Sequence, residues 1–117
     1  MKKQVAAVLL VGGGVLCAQT LTSGEAAIHI GDEATVCGDV SGIHATLRAK
    51  GQPAFLDLDG RYPHNLFTAL IWGKDQPKFG NLARFSNQRI CVSGVISSYR
   101  GKPEMILHDP SAISSAQ

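Results

Sequence analysis

Several features that mark enzymes and membrane proteins are missing from this chain of 117 residues. It has no Cys-x-x-Cys pair, which argues against thiol–disulfide redox chemistry. Its longest apolar run covers about a dozen residues, fewer than the roughly 20 that a membrane-spanning helix needs. No two histidines stand at zinc-ligand spacing; they are dispersed at His29, His44, His64 and His108.

Catalytic motifs are absent as well. The glycine triplet at 12–14 belongs to the N-terminal segment, and no other loop is typical of a phosphate cradle. Ser97-Ser98 lacks the context of a nucleophile elbow. Asp57 and Asp59 share a face if their strand continues, and a metal-dependent hydrolase built on them is the alternative to a non-catalytic protein. We expect no enzyme activity, no metal and no cofactor.

Residues 1–18 have the order of a secretory signal peptide. A positive start at 1–3 precedes an uncharged apolar run at 5–16, and small and polar residues follow. We expect cleavage after Ala18 or a few residues later, before Ala26. A retained N-terminal anchor and a lipid-modified Cys17 are the alternatives. The mature protein is therefore predicted to be exported, either periplasmic or secreted.

Loss of this leader changes the charge of the protein. The whole chain has 11 basic and 9 acidic residues, a net charge of +2. Lys2 and Lys3 lie in the leader, so 11 − 2 leaves 9 basic residues against 9 acidic ones, a net charge of zero. A protein that binds nucleic acid mainly through bulk charge should be clearly basic. Any nucleic-acid contact must therefore depend on a local concentration of positive charge.

Two cysteines, Cys37 and Cys91, remain in the mature chain. Exported proteins meet an oxidising compartment, and an even number of cysteines there favours a disulfide. Free, buried cysteines are the alternative.

Alternation of apolar and polar residues predicts five strands. The third is nearly all apolar, a pattern that also fits a buried helix, but its length and its β-forming residues favour a strand. Between the third and fourth strands, Phe79, Leu82 and Phe85 stand at threefold spacing, which predicts a short helix. The predicted strands are 34–40, extending toward 46, then 54–58, 66–72, 89–97 and 104–108.

The outer segments show no such pattern. Residues 19–30 are predicted to be a flexible lead-in and residues 114–117 a mobile tail, which leaves one domain at 31–113. Five strands bury a core if their sheet closes on itself. Gly38 and Gly94, each in mid-strand, suit the bends of a small barrel. Pattern alone does not fix the topology of that barrel.

The order of these segments resembles the OB-fold nucleic-acid-binding domains of the anticodon-binding and helicase type, and small exported bacterial proteins that carry this domain. The resemblance covers residues 32–113. Its most specific part is the closing sequence, in which a valine-glycine strand is followed by the Tyr-Arg-Gly-Lys-Pro hairpin at 99–103, an apolar strand and Asp-Pro-Ser at 109–111. It implies an all-β, five-stranded OB-fold barrel with a short helix between strands 3 and 4.

The resemblance also implies that the first strand pairs antiparallel with the fourth. Alternation places Cys37 and Cys91 on the non-core face of these two strands. Opposed residues on such strands come close enough for a disulfide after modest adjustment. The resemblance therefore implies a disulfide between Cys37 and Cys91.

An OB barrel binds oligonucleotides across its second and third strands, between the loop after the first strand and the loop before the fifth. Aromatic stacking and local positive charge hold the single strand. The resemblance thus implies a site for single-stranded DNA or RNA, although each side chain also has a plainer interpretation as packing or solvated surface. The alternative function is an interaction module that binds a protein or an envelope ligand. The candidate residues are Arg48, Lys50, Phe55, Arg61, Tyr62, Trp72, Tyr99, Arg100 and Lys102.

Overall fold

The computed structural model describes residues 19–116; the predicted signal peptide and Gln117 lie outside them. Strands dominate the described range, which confirms the all-β class. The only α-helix among the described residues is α1 (Gln76–Phe79). Short 3-10 turns span Glu25–Ile28, Leu82–Phe85 and Pro110–Ala112. The strands are β1 (Gln19–Thr22), β2 (Glu33–Ala45), β3 (Ala54–Leu58), β4 (Phe67–Ile71), β5 (Arg89–Val95), β6 (Ser97–Tyr99), β7 (Lys102–Ile106) and β8 (Ile113–Ser115).

One sheet contains all these strands, in the order β6-β7-β4-β3-β2-β5-β8, with β1 added beside β2. The β4–β7 and β1–β2 pairs are parallel, and the other pairs are antiparallel. The 13-residue β2 pairs with β5 through residues 33–39 and with β3 through residues 40–45. Its register shifts between Val40 and Gly42, a bulge of the kind that bends a strand. A single bent strand therefore joins the two halves of the sheet.

The prediction of a closed, five-stranded barrel is wrong in its details. The sheet has eight strands in the described range and is not closed. The predicted fourth strand is divided into β5 and β6 at Ile96. The Ile96 N–H donates to the Asp32 carbonyl at 2.9 Å, and its carbonyl accepts from the Gly31 N–H at 2.7 Å. These bonds to the segment before β2 interrupt the ladder, although Ile96 stays fully buried.

Both outer segments contain strands where a flexible lead-in and a mobile tail were expected. β1 lies parallel to β2 and contributes Leu21 to the core, and Ala26 in the following 3-10 turn is fully buried. β8 pairs with β5 through residues 113–115. Strands of four and three residues hold too few alternating positions for a recognisable pattern.

The core is one continuous cluster of apolar side chains. Val36, Leu56, Ile71, Ile90 and Met105 are fully buried in it. Burying one such side chain contributes about 1.5–3 kcal/mol. The predicted helical region supplies Phe79 from α1 and Phe85 from the next 3-10 turn, both inside the same cluster. The short helix predicted between the third and fourth strands is thus confirmed as two short helical turns.

The predicted disulfide is confirmed. Cys37 of β2 lies directly opposite Cys91 of β5, with their Cα atoms 4.0 Å apart and their sulfurs bonded. The bond joins residues 54 positions apart. By the loop-entropy relation, a cross-link over such a distance stabilises the folded state by roughly 4 kcal/mol.

Gly38 has a different role from the bend that the sequence suggested. A Cβ at this position would lie 2.4 Å from Asp59 Oδ2 and 2.5 Å from Ser23 Oγ. Asp59 reaches across to β2, where its Oδ1 accepts the Asp39 N–H at 3.1 Å. Gly38 therefore makes room for a side-chain contact that holds the end of β3 against β2. The bend itself lies at the bulge beside Ser41.

Candidate binding groove

A groove of about 310 Å³ crosses the outer face of β3 and β4. It is bounded by the loop after β3 on one side and by the β6–β7 hairpin on the other. We call it the aromatic groove, since rings from four separate segments meet in it. Its lining residues are His44, Thr46, Phe55, Asp57, Tyr62, Asn65, Thr68, Tyr99, Lys102, Pro103 and Glu104.

The aromatic rings are placed by strand register. His44 of β2 is the cross-strand partner of Phe55 of β3, and their rings stack with centroids 5.0 Å apart at an interplanar angle of 27°. Tyr62 leans toward His44 from the following loop, with centroids 6.1 Å apart. Tyr62 and Tyr99 are 70% and 59% exposed. The groove therefore holds both a fixed aromatic pair and two rings available to a ligand.

A row of polar residues runs beside the rings. Asp57 pairs with Thr68 across β3 and β4, and Thr68 pairs with Glu104 across β4 and β7. These three side chains follow one another across the sheet on the groove face. Gly42, which lies opposite Asp57 on β2, adds no side chain. The floor of the groove is thus a polar row that ends at an acidic residue on each side.

The oxygens of this floor are only partly satisfied. Asp57 is 3% exposed; its Oδ2 lies 3.4 Å from His44 Nε2, and its Oδ1 is buried without a hydrogen-bond partner. Asn65 Nδ2 donates to the Phe67 carbonyl at 2.8 Å and to Thr68 Oγ1 at 2.7 Å, while its Oδ1 is buried and unpartnered. Burial raises the pKa of Glu104. Asp57 Oδ1 and Asn65 Oδ1 are therefore buried acceptors that form no hydrogen bond within the described residues.

Positive charge lies on the rim of the groove. The Arg100 guanidinium sits 5.1 Å from the centre of the Tyr99 ring. Lys102 donates from Nζ to the Pro63 carbonyl, which ties the β6–β7 hairpin to the loop after β3. No ion pair of the described residues involves Arg61, Arg100 or Lys102. The charge on the rim is therefore not neutralised.

A second cavity of about 660 Å³ adjoins the groove and shares His44, Asp57 and Tyr62 with it. It continues past Arg61 toward Asn87, which follows the second helical turn. We call it the lateral cleft. The two cavities are therefore neighbours on the face of β2 and β3, with His44, Asp57 and Tyr62 between them.

The structure brings together six of the nine candidate residues. Phe55, Tyr62, Tyr99 and Lys102 line the groove, Arg61 lines the cleft, and Arg100 lies against Tyr99.

The remaining three candidates lie elsewhere. Arg48 and Trp72 line a separate cavity of about 740 Å³ beside the loop after β2. The Trp72 ring packs on Gly51, where an added Cβ would come within 2.8 Å of it. Gly51 has a φ of 78°, so glycine suits both its backbone and this close approach. Lys50 is exposed on the same loop and lines none of these three cavities. Trp72 is accordingly a packing residue of this loop.

Sequence reasoning missed His44, Asn65 and Glu104 as groove residues. His44 could be placed only by the register between β2 and β3, which the bulge shifts. Asp57 was noted together with Asp59, but the two carboxylates separate. Asp59 has a φ of 55° and turns toward β2. Only Asp57 belongs to the groove.

The charges at α1 are arranged differently. Asp75 is 4% exposed and is approached by Lys78 Nζ at 3.0 Å, Lys74 Nζ at 3.4 Å and His108 Nδ1 at 3.5 Å. The hydrogen bond from Lys78, with a further one from Lys74, holds the pKa of Asp75 below its ordinary value despite burial. This cluster ties α1 to the segment after β7, where Lys78 Nζ also donates to the His108 carbonyl at 3.4 Å.

Across residues 19–116, no three His, Cys, Asp or Glu residues are grouped so that they could hold a metal ion. In the same residues, no helix has the length and apolar character needed to cross a membrane. Neither a scan against protein-family models nor a search of curated proteins finds a match for this chain.

Proposed function

We propose that the protein is a non-catalytic module that binds single-stranded nucleic acid in the aromatic groove. One observation carries the proposal: Phe55, Tyr62 and Tyr99 share a groove whose rim cations have no acidic partner. Aromatic platforms beside local positive charge are how proteins hold single strands, and each stacked base contributes roughly 1–3 kcal/mol.

The charge distribution suits a strand that turns its bases inward. Bases would stack on the rings over the floor, and phosphates would face Arg61, Arg100 and Lys102 on the rim. The acidic floor then meets base edges, which carry hydrogen-bond donors, and does not meet phosphates. A mature chain of zero net charge is compatible with this arrangement, because Arg61, Arg100 and Lys102 form no ion pair within the described residues.

The strand connections support an OB-type arrangement for the central strands. β2, β3, β4 and β7 are neighbours in that order, with β4 and β7 parallel. β6, which pairs with β7, is separated from β5 by Ile96 alone. We propose that β5 and β6 act as one interrupted strand and that β1 and β8 are additions to five OB-type core strands in an open sheet. The groove then lies on the face that OB domains use for oligonucleotides.

The disulfide supports export. Disulfides persist in oxidising compartments and are rare in the cytosol, and the Cys37–Cys91 bond lies within the domain itself. We propose that the mature protein acts in the periplasm or outside the cell, as the predicted leader implies.

The direct test is fluorescence anisotropy of labelled single-stranded DNA and RNA at low salt. We expect binding that weakens as salt rises, because phosphate contacts release counterions. Arg100→Ala should weaken binding about 5- to 10-fold, since it removes a rim cation and its contact with Tyr99. Absence of binding to any DNA or RNA at low salt would refute the proposal.

The matched control is Arg89→Ala. Arg89 Nη1 lies 3.6 Å from Asp39 Oδ1, away from the groove residues. This substitution changes the net charge by the same amount as Arg100→Ala. Equal losses of affinity in the two variants would show that binding depends on bulk charge and not on the groove.

A second function, binding of a cationic protein segment or envelope ligand, is favoured by one observation. Asp57 is a buried carboxylate with no Lys or Arg within 4.0 Å in the described range; His44 is its one basic-residue neighbour there. It lies among aromatic rings that attract cations. Labelled peptides that contain lysine or arginine should then bind in the same anisotropy assay, with a purified protein sample that holds no nucleic acid. If such peptides bind and oligonucleotides do not, this second function replaces the first.

A further inference from the structure

The floor of the aromatic groove is rich in hydrogen-bond acceptors. The Oδ1 atoms of Asp57 and Asn65 are buried without a partner, and both residues line the groove. A buried acceptor without a partner costs free energy that a ligand with a suitable donor can recover. Glu104 adds a carboxyl group to the same floor.

The donors beside these acceptors are largely occupied. The Asn65 amide uses Nδ2 for the Phe67 carbonyl and Thr68 Oγ1. Because a carbonyl oxygen only accepts, this contact fixes the orientation of the amide and leaves Oδ1 toward the unpartnered side. His44 Nε2 lies toward Asp57, and Lys102 Nζ donates to the Pro63 carbonyl. A ligand that supplies donors therefore fits this floor better than one that supplies acceptors.

Register gives the acceptors a spacing suited to a base. Asp57, Thr68 and Glu104 occupy neighbouring positions on β3, β4 and β7, and adjacent strands lie about 4.7–4.9 Å apart. The stacked pair of His44 and Phe55 lies two residues along the strands from Asp57 and therefore on the same face of the sheet. A base resting on these rings would direct its edge toward the polar row.

We infer that the groove selects bases with an exocyclic amino group, and that it discriminates against thymine and uracil. This rests on the proposed binding of single strands. Cytosine, adenine and guanine each carry an amino group that can donate to a carboxylate. Thymine and uracil carry a carbonyl oxygen where cytosine has its amino group, and this oxygen would face a carboxylate oxygen of the floor. Their one remaining edge donor is N3–H, which lies between two carbonyl oxygens. A site built to receive a donor rejects an analogue that lacks it.

The test compares oligo-dC with oligo-dT of equal length at neutral pH, using the full chain. Both are pyrimidine strands of the same backbone charge, so their difference reports the base edge. We expect oligo-dC to bind about tenfold more tightly. An oligonucleotide of N4,N4-dimethylcytosine, which keeps the ring and loses both donor hydrogens, should bind no better than oligo-dT.

Asp57→Asn tests the acceptor itself, because the amide replaces one oxygen with a donor at nearly the same volume. The variant should reduce the preference for oligo-dC over oligo-dT toward one. Asp59→Asn is the matched control: it removes the same charge two residues away, from a side chain that bonds to β2 outside the groove, and it should leave the preference unchanged.

The outcomes separate the inference from the proposed function. Equal binding of oligo-dC, oligo-dT and the dimethylated strand overturns the base preference and leaves single-strand binding intact. Failure of every oligonucleotide to bind overturns both. If Asp57→Asn does not fold, the dimethylated strand still decides the inference, since it requires no change in the protein.

Discussion

The two halves of β2 serve different parts of the molecule. Its first half, residues 33–39, lies between β1 and β5, carries the disulfide and has an ion pair between Asp39 and Arg89. Its second half, residues 40–45, pairs with β3 and supplies His44 to the groove. The first half thus carries the covalent cross-link, and the second half borders two unpartnered oxygens of the groove, Asp57 Oδ1 and Asn65 Oδ1. A third unpartnered buried oxygen, Ser23 Oγ, lies near Gly38 of the first half.

This difference separates structural from functional charge. At Asp39 and Asp75, acidic side chains are matched by nearby cations. In the groove, Asp57 keeps an unpaired oxygen and the rim cations have no acidic partner. Unpaired polar groups cost stability when buried, and a ligand that supplied donors to the groove would recover part of that cost. The half of the sheet with the disulfide compensates for that cost.

The largest expected effect is on the disulfide half. Replacing both Cys37 and Cys91 by alanine should lower the free energy of unfolding by roughly 4 kcal/mol, as measured by urea denaturation. At urea concentrations at which the variant is still folded, its affinity for oligonucleotides should stay within about twofold of that of the natural chain, since neither cysteine lines the groove. A large loss of affinity in the folded variant would contradict the claim that the two halves of β2 have separate roles.

Gly38→Ala should destabilise the junction between the halves by about 1–3 kcal/mol, because the new methyl group would meet Asp59 and Ser23. Thermal unfolding would measure the change. Gly94→Ala is the control, since its Cβ would meet only the flexible Met105 side chain, at 3.3 Å from Sδ. An equal or larger effect at Gly94 would contradict the role given to Gly38.

On the groove side, Tyr62→Ala should weaken oligonucleotide binding about 5- to 10-fold. Its effect on the free energy of unfolding should stay within about 0.5 kcal/mol, because the side chain is 70% exposed. Ile28→Ala removes a side chain that is 83% exposed on the 3-10 turn after β1, and it should change neither quantity. Matching anisotropy titrations and urea curves would check both variants.

The smallest effect expected concerns Glu104. Burial raises the pKa of this carboxyl, so the folded state holds its proton more tightly than the unfolded state. Stability from this group is therefore lost as the pH rises from the ordinary pKa of glutamate, about 4.3, through the raised value, and it stays lost at neutral pH. Glu104→Gln should raise Tm at pH 7 by about 2 °C.

This difference in Tm should disappear below the ordinary glutamate pKa, where Glu104 is protonated in both states. Calorimetry at pH 4 and pH 7 would show it. A stabilisation of equal size at both values would mean that the gain comes from packing and not from the charge.

Much of the sheet follows from alternation alone. The apolar faces of β2, β3 and β5 are regular enough to place Val36, Leu56 and Ile90 in the core, and the same alternation put both cysteines on the opposite face. The bulge in β2, the break at Ile96 and the short outer strands were not predictable, because each depends on hydrogen bonds between distant segments. Ile96 fits the apolar pattern of its strand; only its bonds to Gly31 and Asp32 reveal the break.

The site was predictable to the extent that strand face and loop position determine it. Phe55, Tyr62 and Tyr99 line one groove, as their strand face and loop positions indicate, while Trp72 lines another cavity, where its ring packs on Gly51. The polar floor was missed, since it depends on the register among β3, β4 and β7 and no single segment shows it. A carboxylate beside a turn has the same sequence signal whether it is buried, as Asp57 is, or turned aside, as Asp59 is.

Backbone NMR of the ¹⁵N-labelled mature protein, titrated with single-stranded DNA, tests most directly whether the aromatic groove binds single strands. We expect the amide shifts of Phe55, Tyr62, Tyr99 and Glu104 to move with the added strand, while those of Cys37 and Cys91 stay in place. Shifts confined to the disulfide half, or no shifts at low salt, would contradict the claim that the aromatic groove binds single strands.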